Sequence, residues 1–120
     1  MTRSAYQSLS DEALVDAFVK AAAELGEAVN FWLPAAKKAK RQLAIGDALG
    51  ARGRQARLML TPLLNDQNRF VRYYAAKELE GLLPERCRQI IEWNAKQRDA
   101  IAGDAGMHLD AVDSGYYKPD

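Results

Sequence analysis

Apolar residues in this chain recur at steps of three and four. They never alternate long enough to make a strand, so helices are what the chain can build. Leu14, Val15, Phe18, Ala22 and Leu25 form the first stripe. Ser10 opens it as N-cap, with Asp11 and Glu12 at the positive end of the helix dipole. Gly26 is expected to end or loosen that helix. Asn30 reads as the cap of a second helix, with Pro34 near its first turn. Trp32, Ala36, Ala39 and Leu43, continued by Leu49, read as its inward stripe. Gly46 weakens this helix, and Gly50 with Gly53 breaks it. A third helix, Arg54 to Leu64, is expected to bury Leu58, Leu60, Leu63 and Leu64 and to bend at Pro62.

Residues Asn65 to Asn68 make a turn from side chains that bond their own backbone. The turn launches a fourth helix, Arg69 to Leu82, with Val71, Ala75, Leu79 and Leu82 inward. Gly81 and Pro84 stop it. Pro84 also starts a fifth helix, with Cys87, Ile90, Ile91 and Asn94 on one side. A short sixth helix, from about Asp104 to Val112, carries Ala105, Leu109 and Val112. The expected architecture is all-α: five to six helices in about three antiparallel hairpins, because every loop is short. A chain of 120 residues is one domain, 1–120, with 1–9 and 114–120 as flexible ends.

The stretch from Leu63 to Leu79 resembles a HEAT repeat. A leucine pair ends one helix, an Asp-containing turn follows, then Val71-Arg72, the double alanine Ala75-Ala76, and Leu79. The two alanines would let helices approach closely, with Val71 and Leu79 filling the ridge around them. Asp66 would receive amides of the turn and pair with Arg72. The pattern over nearly the whole chain is similar to a small bacterial HEAT-like family of uncharacterised function. That resemblance implies an α-α superhelix of the HEAT/armadillo kind and brings no catalytic residues with it. Some families of this kind sit beside secreted toxins and look like their immunity partners, so a toxin-immunity-like role belongs among the expectations.

The net charge of +1 conceals a polarised chain. Between Ala36 and Leu58 stand seven cations against Asp47, and from Asp99 to Asp120 five aspartates stand against Lys118. Lys37, Lys38, Lys40 and Arg41, with Arg52, Arg54 and Arg57, form the leading candidate surface. The aromatics Phe70, Tyr73, Trp93, Tyr116 and Tyr117 are a second lead: Phe70 and Tyr73 share a helix face with Lys77 and Glu80, so part of that face is expected to meet solvent. The expected partner-binding set is therefore Lys37, Lys38, Arg41, Arg54, Arg57, Phe70 and Tyr73, with Asp66, Arg72, Ala75, Ala76 and Leu79 as scaffold. The expected partner is another protein. The rival reading is a nucleic-acid-binding HEAT-like domain that uses the basic 37–57 surface, against which the balanced overall charge stands.

Chemistry has little to work with. His108 is the single histidine, without a second His or Cys to share a metal, and Cys87 falls on an inward stripe as a small hydrophobe. No Gly-Lys-Ser loop offers a phosphate cradle. Neither catalysis, a cofactor nor a metal is expected. The N-terminal stretch lacks the apolar core of a signal peptide, and no apolar run reaches the ~20 residues that span a bilayer. A cytoplasmic protein with no membrane partner is expected. The sequence leaves the oligomeric state open: a homodimer follows if Tyr116, Tyr117 and Phe70 stand exposed together.

Overall fold

The apolar stripes become helices that pair end to end, and the computed structural model describes them over residues 3–120. They are α1 (Arg3–Tyr6), α2 (Asp11–Asn30), α3 (Ala36–Ala51), α4 (Arg54–Leu58), a 3-10 turn (Thr61–Asn65), α5 (Arg69–Leu79), α6 (Pro84–Ala95) and α7 (Ala100–Asp113). Among the described residues there is no strand. The fold is all-α, as the periodicity requires.

The caps fix the running directions. Ser10 accepts the Ala13 amide, Asn68 accepts those of Phe70 and Val71, and Asp99 accepts that of Ala102, so α2, α5 and α7 each begin on a side-chain acceptor. Arg52, just past α3, reaches back 2.8 Å to Asp11 at the start of α2, so α2 and α3 run antiparallel. Arg69 at the start of α5 donates to Asn94 near the end of α6, at 2.7 Å. Arg88 early in α6 grips Asp113, the last residue of α7, at 2.6 and 2.9 Å. Helix pairs therefore follow one another up and down the chain, within extents of 37 × 31 × 28 Å.

α5 lies at the centre, where Val71, Ala75, Ala76 and Leu79 are each at most 1 % exposed. Leu14, Phe18 and Ala22 of α2 meet it from one side, and Cys87, Ile91 and Ile101 close the other. The two alanines carry no bulk, so neighbouring helices approach α5 closely. Pro62 divides the expected third helix into α4 and a 3-10 turn, because a proline inside a helix removes a hydrogen bond and crowds the preceding turn.

Several expectations need correction. Gly26 does not end α2, which runs four residues further; it is buried beneath Phe70, whose Cγ would lie 2.2 Å from an added Cβ. The glycine is there for close approach of α2 to α5, not for a turn. Asn30 caps no second helix: its side chain accepts the Ile101 amide at 3.0 Å and ties the end of α2 to the start of α7. The stripe Trp32, Ala36, Ala39 and Leu43 faces out, with Trp32 at 86 % and Leu43 at 66 % exposure. α3 instead buries Gln42, Ile45, Gly46, Ala48 and Leu49, one step around the helix. α5 stops at Leu79, and α7 begins four residues earlier than expected, at the Asp99 cap.

Of the two ends read as flexible, Met1 and Thr2 lie outside the described residues. Tyr6 is buried in the core, and Arg52 holds the carbonyls of Tyr6, Gln7 and Leu9. At the other end the Tyr117 ring rests 5.6 Å from that of His108.

Candidate functional site

The basic 37–57 stretch does not form one surface. α3 separates its two halves by about 20 Å at 1.5 Å per residue. At the far end the arginines are committed to the fold. Arg52 clamps the N-terminal carbonyls, and Arg57 donates to the Glu78 carbonyl at 2.6 Å with its Nε 3.9 Å from the Glu78 carboxylate. Arg54 is exposed at the start of α4. At the near end, Arg41 pairs with Glu24 across α2 and α3, and its hydrogen bond holds the Glu24 carboxyl below the usual carboxylate range. Lys37, Lys38 and Lys40 remain, and among the described residues none of them makes an ion pair.

The aromatic pair expected to meet solvent does not form an exposed face. Tyr73 is fully buried, and its hydroxyl donates to Asp104, to which Lys77 also reaches at 3.2 Å. Burial, with that carboxylate beside it, pushes the Tyr73 phenol far above its ordinary value. Phe70 is half-buried against Gly26. Tyr73 offers no contact surface, and Tyr116, although 90 % exposed, does not stand out together with Phe70. The expected face failed because α5 is central and is covered on more than one side.

The scaffold residues fall close to expectation, with one change. The Asp66 carboxylate accepts the Asn68 amide at 2.9 Å. Arg72, however, donates to the Asp66 and Gln67 carbonyls at 2.7 and 3.1 Å, not to the Asp66 side chain. The turn is braced through its backbone.

Two surface features escaped the sequence reading. The first is a groove between α3 and α5. Ala39 and Leu43 form one wall, Tyr74, Lys77 and Glu78 the other, and Leu25 with Gln42 the floor. It opens towards the C-terminal residues into a cleft of about 500 Å³. Gln42 is 9 % exposed, and no described residue donates to its buried Oε1. Burial raises the Glu78 carboxyl above its ordinary value, only partly offset by Arg57. The second feature is the α2–α3 connection, where Phe31, Trp32 and Leu33 are 66, 86 and 53 % exposed. Its signal was available: three large apolar residues directly before a proline and a lysine-rich helix. The assumption that apolar stripes turn inward hid both.

The interior holds two reactive types without a reactive arrangement. His108 Nε2 lies 2.6 Å from a Glu80 carboxylate that is itself buried. The Cys87 thiol is fully buried, and burial with Glu80 nearby pushes it up to about 11, away from thiolate chemistry. Among the described residues no group of three or more His, Cys, Asp or Glu could hold a metal ion.

These features define an all-α domain of paired helices around a central alanine-bearing helix, with its uncommitted chemistry on the surface. It is similar to the protein RPA1889 from Rhodopseudomonas palustris CGA009, known from its crystal structure. The match has a TM-score of 0.81 and 31 % identity, and covers 95 % of this chain and 97 % of that one. The chain belongs to the family of that protein. No protein-family model matches the chain, and no curated protein matches it.

Proposed function

We propose that the chain is a non-enzymatic, HEAT-like protein-binding module of the cytoplasm, which receives a segment of its partner in the groove between α3 and α5. The observation that carries this reading is Leu43, 66 % exposed in the wall of that groove. A partner that covers Leu43 would bury its apolar area, at roughly 25 cal/mol per Å². Tyr74 and Lys77 on the facing wall add an aromatic surface and a cation, both common at protein interfaces.

The non-enzymatic part rests on the interior. His108 is held by Glu80, and Cys87 is a buried, protonated thiol. The nucleic-acid reading is the weaker one, because Arg41, Arg52 and Arg57 are spent on carbonyls and carboxylates.

Affinity capture with the wild-type chain and with Leu43→Asp tests the groove. A protein retained by the wild type and lost with the variant supports the proposal. Identical captures by both overturn it. Low-salt binding of labelled DNA or RNA that falls steeply with added salt would favour the nucleic-acid reading instead.

A further inference from the structure

The α2–α3 connection breaks local rules without any gain to the fold. α2 ends in a Schellman motif: the Leu33 amide donates to the Ala28 carbonyl at 2.8 Å, and the Trp32 amide to the Val29 carbonyl at 3.4 Å. The motif requires a left-handed residue at the position of Trp32, whose φ is 57°. Glycine is the usual occupant, because a Cβ there is crowded against the carbonyl. Here the position holds the bulkiest side chain available, and that side chain is 86 % exposed. Phe31 and Leu33 on either side also point outward.

The charges break a second rule. The N-cap of α3 is Ala35, which has no side-chain acceptor for the first amides, and the first turn contains no acid. Lys37, Lys38 and Lys40 stand instead at this positive end of the helix dipole, where cations are unfavourable. Lys96 and Arg98 belong to the α6–α7 connection, which Asn30 ties to the same end of the molecule. Glu27 is the opposing exposed acid in the last turn of α2. The result is a convex tip of three large apolar side chains beside a field of positive charge.

We infer that this tip docks on an anionic lipid surface, with Phe31, Trp32 and Leu33 entering the headgroup boundary and the lysines of α3 contacting acidic headgroups. Charge complementarity and shape select this occupant. A second copy would bring like charges together. A nucleic-acid strand calls for a groove or a flat stacking platform, whereas a projecting aromatic–aliphatic loop beside lysines fits a soft anionic interface. No helix among the described residues is long and apolar enough to cross a membrane, and a peripheral contact needs none. The inference goes beyond the groove proposal and rests on different residues.

Vesicles of phosphatidylcholine, alone or with one third phosphatidylglycerol, provide the test with the full chain. In a Trp93→Phe background Trp32 is the single indole. Its emission should shift to the blue on anionic vesicles only, and the bound fraction should exceed that on neutral vesicles. Replacing Lys37, Lys38 and Lys40 by alanine should weaken binding about fivefold per lysine. Trp32→Gly, which suits the backbone, should keep the fold and lose at least about tenfold in binding. Leu43→Ser should bind vesicles like the wild type. Equal binding to both vesicle types, no blue shift, or undiminished binding of Trp32→Gly would each overturn the inference, as would capture of labelled DNA in preference to vesicles.

Discussion

α5 and α3 have similar raw material, alanines and large apolar residues spaced by three and four, yet the fold uses them in opposite ways. α5 is enclosed, and its apolar and polar groups are both engaged: Tyr73 on Asp104, Arg69 on Asp99 and Asn94, Arg72 on two turn carbonyls. α3 turns Ala36, Ala39 and Leu43 outward and buries Gln42 and Gly46 instead. The difference teaches that apolar spacing defines a helix but not which side of it the rest of the chain will cover. Where α5 makes the molecule stable, α3 and the loop before it are free to meet something else.

The comparison breaks first if α5 proves dispensable. Leu79→Ala empties a fully buried site and should cost about 2–5 kcal/mol, read as a lowered urea midpoint. A loss under ~1 kcal/mol would remove α5 from the centre of the fold. Gly26→Ala is next. The added Cβ would collide with the Phe70 ring and should cost about 1–3 kcal/mol. In the Gly26→Ala, Phe70→Ala double variant the cost should fall below the sum of the single costs, because the clash is shared.

Acid sharpens the same contrast. Asp99 is held below its ordinary value of 3.8, first by the Arg69 hydrogen bond and also by the Ala102 amide. A depressed carboxylate contributes stability that is present above its unfolded pKa and lost as pH falls through the folded one. The wild type should therefore lose stability below about pH 4, and Arg69→Ala should lose less over that window, as denaturant midpoints at pH 7 and pH 3 would show. On the outer face of α3, Leu43→Ser should change stability by no more than about 0.5 kcal/mol. A loss of 2 kcal/mol would restore the inward stripe that spacing alone suggested.

The sequence carried the helices and most of the core. Ser10, Asn68 and Pro84 announced three helix starts by mechanisms that act within a few residues. Val71, Ala75, Leu79 and the Cys87–Ile91 stripe followed from periodicity on helices covered from several sides. What remained hidden depends on distant partners. Gly26 looked like a terminator because nothing local says that Phe70 will lie on it. Asn30 looked like a cap because its true partner, the Ile101 amide, is 71 residues away. The basic cluster looked continuous because adjacency in sequence does not show which arginines are spent on carbonyls. The candidate surfaces were the least legible part, since they consist of residues that ignore the pattern by which the rest was read.

The one substitution expected to cost the fold nothing bears most directly on the central claim that the α2–α3 tip serves something outside the fold. Trp32→Gly places the residue preferred by the Schellman motif at φ 57° and removes a side chain that is 86 % exposed. Its urea midpoint at pH 7 should equal or exceed that of the wild type, by up to about 1 kcal/mol. A loss of more than 1 kcal/mol would show that Trp32 packs within the protein, and would contradict the account.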